Sequence, residues 1–333
     1  MEFHMEVAMA RREPAAERAV VDRPPAATAE QLAHEFMEQR PRLLGIAYRL
    51  LGTMWDAEDI VADATVRWLA VDREQVRDPV AFLTTMVTRR SLDQLRSARV
   101  ARESYTGEWL PEPIGTAPSP LGPLDTVERR ESVSLATLRM MEQLTPPERA
   151  VFVLHEAFEL PHAAIAEILD ITQESSRQHL HRARTHLGGR NQRFHPEPAA
   201  HCKLFERFLG ALETGDLGEL QDVLTADAVA YSDGGGKARA ARHAVVGADN
   251  VVAFFGALRR HHAIQVERRI EVNGQPGALL RFGRQHQLLT VDLLGGKIRE
   301  VHSIMNPDKL RYLYLQIAGI AGRSENRAST ARC

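Results

Sequence analysis

The chain has 333 residues, 44% of them hydrophobic and 26% charged, an ordinary globular balance with room for two or three domains. A formal net charge of −2 excludes a uniformly basic nucleic-acid binder, so any phosphate-facing surface has to be local. Cys202 and Cys333 are the only thiols, which supports neither a disulfide framework nor a cysteine-based metal site and fits a reducing cytoplasm; no apolar run approaches a membrane span. Residues 1–30 mix acids and prolines and read as a disordered leader.

Residues 31–102 are helical throughout, punctuated only by Pro41 and Pro79, and make a first all-α domain. One of its helices opens with Asp56, Glu58, Asp59 and Asp63, and Asp59, Ala62, Asp63 and Val66 share its outer face. Acids in a first turn are also ordinary partners of the helix dipole. The next long helix sets Leu83, Val87, Leu95 and Ala98 on one side and Arg89, Asp93, Arg96 and Arg99 on the other. Five arginines stand against one acid between positions 89 and 102, which supplies the local positive field. Residues 103–125 are dense in Pro, Gly, Ser and Thr and read as a linker without regular structure.

Residues 126–187 form a second all-α domain, in which TPPER at 145–149 opens a helix with a Thr cap and early prolines. Within it, PHAAIAEILDITQESSRQHLHRARTHL at 161–187 has the spacing of two helices around a tight corner, a helix-turn-helix. Asp170 stands where the corner calls for positive φ, and Thr172 is placed to cap the second helix. That leaves Gln173, Ser175, Arg177 and Gln178 in its first turns, where such a helix enters the major groove. Arg and Gln there can pair with guanine and adenine edges. Residues 188–198 read as a second linker.

The pattern then changes. Residues 202–213 and 217–224 read as helices, and 264–272, 278–284, 287–293 and 298–305 as strands. NGQPG at 273–277 and GGK at 295–297 supply hairpin turns. Residues 199–321 are therefore expected to form an α+β domain with a curved antiparallel sheet and helices on one face, followed by a disordered tail over 322–333. No paired histidine spacing suggests a metal, and no cofactor is implied.

In order and spacing, RLLGIAYRLLGTMWDAEDIVADATVRWLAV, then DPVAFLTTMVTRRSLDQLRSAR, then LTPPERAVFVLHEAFELPHAAIAEILDITQESSRQHLHRAR resemble a sigma-70 family factor of the extracytoplasmic-function type. The resemblance implies a transcription initiation factor whose partners are core RNA polymerase, through its β′ clamp and β subunits, and promoter DNA. It places Asp56, Asp59, Ala62, Asp63 and Val66 on the clamp coiled coil of β′. It sets Arg77 in the loop at 72–79, together with Arg89, Asp93, Arg96 and Arg99, on the minus-ten element. Thr172, Gln173, Ser175, Arg177, Gln178, His181 and Arg182 fall on the minus-thirty-five element. Two positions depart from the family pattern: Ala62, where Gln is usual, and Ser176, where an apolar residue is usual. Ser176 is expected to return its hydroxyl to a carbonyl one turn back.

Residues from about 199 to 315 resemble the SnoaL-like polyketide-cyclase family, a cone in which a bent sheet wraps a pocket. Three short sequences resemble those of the sigma-factor subgroup with such an extension fused. They are WLPEP (Trp109, Leu110, Pro111, Glu112, Pro113), DGGGK (Asp233, Gly234, Gly235, Gly236, Lys237) and NPDKL (Asn306, Pro307, Asp308, Lys309, Leu310). That subgroup implies a built-in regulator, with Trp109 as anchor and Glu112 expected to pair with Lys237. NPDKL also reads as a helix cap through Asn306 and Pro307. The alternative is an ordinary helix-turn-helix regulator carrying a ligand-binding or cyclase-like domain, with Asp233, Asp292, His302 and Tyr231 lining its pocket. A small ligand in that pocket is a further possible partner.

Overall fold

The computed structural model describes residues 29–116, 119–121, 133–187 and 197–324. Three helices open it: α1 (Ala29–Leu51), α2 (Met54–Leu69) and α3 (Pro79–Glu103). Gly52, at φ +73°, ends α1 and turns the chain directly into α2. Asp78 caps α3 by accepting from the Ala81 N–H at 3.0 Å, with Pro79 at the first position, where its missing donor costs nothing. The apolar stripes meet in a core around Leu44, Ala47, Ile60, Val61, Trp68, Leu83 and Val87, all buried. Trp68 satisfies its indole by donating to the Leu32 carbonyl at 2.7 Å.

The second helical unit has α4 (Leu135–Met140), α5 (Pro146–Phe152), which runs on into a π-helical turn at Val153–Ala157, then α6 (His162–Leu169) and α7 (Gln173–His186). Asp170 adopts φ 56°, ψ 51°, so the corner does need the left-handed conformation, and the Thr172 hydroxyl caps α7 by accepting from the Ser175 N–H at 3.0 Å. The two helical units share one hydrophobic core rather than standing apart. Polar contacts reinforce that joint. Arg149, 1% exposed, donates to the Arg49 carbonyl at 3.0 and 3.2 Å and pairs with Glu142, which also pairs with Arg102.

The third unit begins with α8 (Pro198–Thr214) and α9 (Leu217–Val223). A six-stranded sheet follows: β1 (Leu224–Asp233), β2 (Val245–Val246), β3 (Ile264–Val272), β4 (Gln275–Phe282), β5 (Gln285–Leu294) and β6 (Lys297–Ile304). Helix α10 (Ala248–His261) lies between β2 and β3, and α11 (Pro307–Ser324) ends the described chain. The strand order is β2-β1-β6-β5-β4-β3. The sheet is mixed, which corrects the expectation of an antiparallel one: β1 runs parallel to β6. That pairing is possible because the chain leaves β1 through a long loop and the crossing helix α10, whereas a hairpin would force the antiparallel arrangement. Strand β1 and helix α10 were not apparent from the sequence pattern. Extra residues at register shifts in β1, β3 and β6 supply the bends that curve the sheet.

Alternate residues of the strands serve different cores. Leu280, Leu289 and Val291 face the domain's own helices with Phe208 and Phe255. Leu279, Leu288 and Ile304 face the other way, onto Leu110 of the linker, Leu135 of α4, and Leu310 and Leu313 of α11. Among its described residues the linker is irregular from Ser104 onward, yet it is packed: Leu110, Pro111, Glu112, Pro113 and Ile114 are all buried. It runs along β3, where Gly115 bridges Val272 and the Thr116 N–H reaches the Glu271 carbonyl at 3.0 Å, covering an open sheet edge.

Candidate functional site

The densest polar cluster of the described residues forms where the linker meets the ends of β1 and β6. Asp233, fully buried, accepts from the Tyr105 hydroxyl at 2.6 Å through one oxygen, and from the Leu110 N–H at 2.9 Å and the Lys309 ammonium at 2.6 Å through the other. Lys309 also donates to the Leu110 carbonyl. Burial pushes the Lys309 ammonium down to about 8, against the opposing pull of Asp233. Burial and the Asp233 carboxylate hold the Tyr105 hydroxyl protonated far above its usual range. Trp109 lies between two cations, with the Arg102 guanidinium 3.8 Å and the Lys309 nitrogen 4.2 Å from its ring centroids.

Glycine is required at one point of this clasp. Gly235 has φ +56°, and a Cβ there would sit 2.2 Å from Asn306 Nδ2 and 2.8 Å from the Tyr105 hydroxyl, which are themselves hydrogen-bonded at 2.9 Å. Gly236 passes Thr106 at contact distance. Asn306 accepts from the Asp308 N–H at 3.1 Å, and with Pro307 at the first position it opens α11.

The expected Glu112–Lys237 pair does not form. Lys237 pairs with Asp308 on the surface, while Glu112 lies buried under the start of α2 and accepts from the Met54 and Trp55 N–H groups. The bare N–H groups and positive dipole end of α2 are the nearer and better partner for a buried carboxylate. Burial nevertheless raises the Glu112 carboxyl to about 7, opposed by those two N–H groups and by Lys309.

Sequence reasoning missed a second junction. Asn273, the first residue of an Asn-Gly turn with φ 54° and 75°, is buried and spends its side chain outside its own domain. Its amide donates to the Tyr48 hydroxyl and the Val133 carbonyl, both at 2.7 Å, and accepts from the Ile114 N–H at 3.0 Å. Tyr48 in turn donates to the Glu112 carbonyl at 2.7 Å. The Asn-Gly pair signals a tight hairpin, but nothing in one sequence tells that the amide serves three other segments.

The four residues of the enzyme alternative are engaged with other groups of the chain. His302 stacks on Tyr231, 5.8 Å between centroids, and lies 3.1 Å from Glu300, which accepts two bonds at 2.8 Å from Arg139 of α4. Burial would raise the Glu300 carboxyl, but His302 and Arg139 overcome it and hold it down at about 2. Asp233 holds the linker, and Asp292 accepts from Gln275 at 3.4 Å. Asp233 thus ties the sheet to the linker, and Tyr231 and Glu300, beside His302, tie it to Arg139 of the second helical unit, whereas Asp292 bonds within the sheet.

The proposed nucleic-acid and polymerase residues are of another kind. Asp59, Ala62, Asp63 and Val66 are exposed on α2, Val66 to 71%; Asp56 is half-buried and accepts from Thr53, and Asp63 pairs with Arg90 at 3.2 Å. At the near end of that helix, Tyr312 of α11 packs edge-on against Trp55 at 5.4 Å and donates to Glu58 at 3.3 Å. Arg77 is exposed, and Arg96 pairs with Asp93 at 3.0 Å on the surface of α3; the Arg99 side chain lies outside the described residues. Arg89 is engaged within the chain: its guanidinium donates to the Ile168 and Glu167 carbonyls at 2.8 and 3.3 Å, at the corner of the helix-turn-helix. On α7, Thr172, Gln173, Arg177, Gln178, His181 and Arg182 are exposed and Ser175 half-exposed. Ser176 is fully buried, and its hydroxyl meets His162 Nδ1 at 2.8 Å instead of a carbonyl of its own helix. His162 is the nearer partner, since α6 crosses α7 at that position.

Comparison with known proteins agrees with this layout. Sigma-70 region 2 matches residues 36–100 and sigma-70 region 4 matches residues 134–187. The ECF RNA polymerase sigma factor SigJ of Mycobacterium tuberculosis (strain ATCC 25618 / H37Rv) is 37% identical over 83% of this chain and 92% of its own. The probable ECF RNA polymerase sigma factor SigI of the same species (strain CDC 1551 / Oshkosh) is 32% identical over 84% of this chain and 95% of its own. A crystal structure of SigJ superposes with a TM-score of 0.70 at 34% identity, covering 84% of this chain and 98% of that one. The helix-turn-helix regulator with an enzymatic domain is thereby not favoured, and the matched regions imply binding to RNA polymerase and promoter DNA. With both sigma regions in order and the curved-sheet domain behind them, the chain belongs to the sigma-70 family, as an extracytoplasmic-function RNA polymerase sigma factor with a fused SnoaL-like domain and not as an enzyme.

Proposed function

We propose that this sigma factor is held in check by its own C-terminal domain, which grips the linker between the two sigma regions and so fixes their separation. The observation that carries the reading is the clasp of Asp233, Lys309, Asn306 and Gly235 on Tyr105, Trp109 and Leu110. With the linker seated, region 2 packs on region 4, and Arg89 gives its guanidinium to the helix-turn-helix corner instead of to a phosphate. Helix α11 meanwhile occupies the Trp55 and Glu58 end of α2. Opening the clasp frees Arg89 and lets each region reach its own promoter element.

In the same reading, Asp59, Ala62, Asp63 and Val66, with Asp56 at their edge, form the face that docks on the β′ clamp. Arg77, Arg89, Asp93, Arg96 and Arg99 serve the minus-ten element. Thr172, Gln173, Ser175, Arg177, Gln178, His181 and Arg182 serve the minus-thirty-five element. An exposed apolar residue, Val66, on the same helix face as the exposed Asp59 and Asp63 is what supports the docking face.

Run-off transcription with purified core polymerase tests the whole. Trp109→Ala, Lys309→Met and a stop before Asn306 are expected to raise initiation from a fixed promoter while both sigma regions stay folded; initiation equal to that of the intact chain in all three ends the regulatory reading. Asp59→Arg and Asp63→Arg are expected to weaken core binding by about 2–5 kcal/mol, because each reverses charge on the face that meets a basic partner. Unchanged affinity in a core titration would remove the docking face.

A further inference from the structure

The concave side of the sheet opens into a cleft of about 650 Å³ that neither the clasp nor the sigma regions use. The volume is that of a small-molecule site. Its walls are apolar, from Phe254, Ala257 and Leu258 of α10, Phe282 of β4 and Met305. Its floor is polar. Gln287, 4% exposed, lines the cleft with a side-chain amide nitrogen that has no hydrogen-bond partner, an arrangement costly to keep unless something completes it. Ser232 and Ser303 face each other in register across β1 and β6 on the same surface.

The one formally charged side chain lining the cleft is a cation. Arg239, His261 and His262 contribute to its lining, and no Asp or Glu does. Among the described residues Arg239 has no carboxylate partner, and it is the arginine that lines the cleft. Polar donors at the floor, an apolar body and an unbalanced cation are complementary to one kind of molecule. We propose that this cleft binds an apolar organic acid, an aromatic or alicyclic carboxylate whose ring system lies against Phe254, Leu258 and Phe282. A hydroxyl or carbonyl at its far end meets Gln287, and its carboxylate lies toward Arg239. The site takes part in no covalent step.

The test is direct titration of the full chain, without polymerase or DNA, so that its outcome is independent of the sigma-factor assignment. The probes are 2-naphthoate, 6-hydroxy-2-naphthoate and the methyl ester of each, followed by calorimetry. Both acids are expected to bind, with the hydroxy acid tighter and each ester weaker by about tenfold or more. Arg239→Glu, a surface change, is expected to weaken the acids by about tenfold or more and leave the esters unchanged, and Gln287→Leu to abolish the advantage of the hydroxyl. Ala257→Trp, with its fold checked by circular dichroism, is expected to close the cleft to all four. Absence of binding by either acid, equal binding of acid and ester, or acid binding indifferent to both Arg239→Glu and Ala257→Trp would overturn the proposal.

Discussion

The linker clasp and the recognition helix α7 are both rich in polar side chains, and they differ in where those side chains find partners. At the clasp, Asp233, Lys309, Tyr105 and Asn306 bond across sequence separations of 76 to 201 residues, in burial, with almost every polar atom used. On α7, the ties of Thr172, Arg177 and Gln178 span three or four residues, to Ser175 and Glu174, and the side chains stay in water. The first pattern stores stability, because each partner is desolvated and irreplaceable. The second stores almost none and leaves donors free for another molecule.

The comparison is broken most severely at Asp233. Asp233→Ala leaves Lys309 buried without its counter-charge and Leu110 N–H without an acceptor, and is expected to cost about 3–5 kcal/mol in chemical denaturation. Limited proteolysis is then expected to cut between 105 and 116, where residues 110–114 are buried in the intact chain. Next in size is Gly235→Ala, which combines a positive φ with a clash against Asn306 and Tyr105; about 1–3 kcal/mol is expected from the same measurement. A wild-type midpoint for that variant would show that the loop can move aside.

On the opposite side of the comparison, Arg177→Ala and Gln178→Ala are expected to leave stability within about 0.5 kcal/mol, as exposed positions do. Each is expected instead to lose about 1–3 kcal/mol of discrimination between upstream promoter elements in competition binding. Equal loss on every sequence would assign them to phosphate contact alone. The smallest effect is a slope. Because the folded chain holds the Glu112 proton up to about pH 7 while the unfolded chain releases it near 4.5, stability from this group falls as pH rises through that window. Glu112→Gln is expected to flatten the dependence by less than about 1.4 kcal/mol per pH unit, the ceiling for one proton. An unchanged slope would mean that the α2 N–H groups, rather than burial, govern Glu112.

Periodicity and capping chemistry are local, and they make the helical units legible: Asp170 at the corner, Thr172 as a cap and the TPPER start at Thr145 all follow from neighbours in sequence. Strand β1 was not legible. Its inward residues alternate only beyond a register shift, and it follows α9 without a turn, so LTADAVAYSD lacks both the clean period and the punctuation of a strand. Glycine density did mark Gly235 as a place of close approach. It did not reveal that Glu112 turns to α2, or that Arg89 turns to α6, since those choices are made by elements 58 and 79 residues distant. Exposure of the α7 residues was the easier inference, because a surface needs no partner within the chain.

The Asn273 side chain has a consequence for how this protein can be taken apart. One amide is shared by Tyr48 of the first unit, Ile114 of the linker and Val133 at the entrance to the second, while its own backbone belongs to the third. Cutting the chain after residue 197 therefore does more than subtract a domain. It strands an amide N–H and a carbonyl that are dry in the whole molecule, leaves the Tyr48 phenol with the Glu112 carbonyl alone, and strips the lining from Leu110 and Leu135. The fragment that remains starts in debt, and its transcriptional behaviour mixes lost restraint with lost cooperativity. Point changes within the clasp separate those two contributions, because they leave the Asn273 node intact.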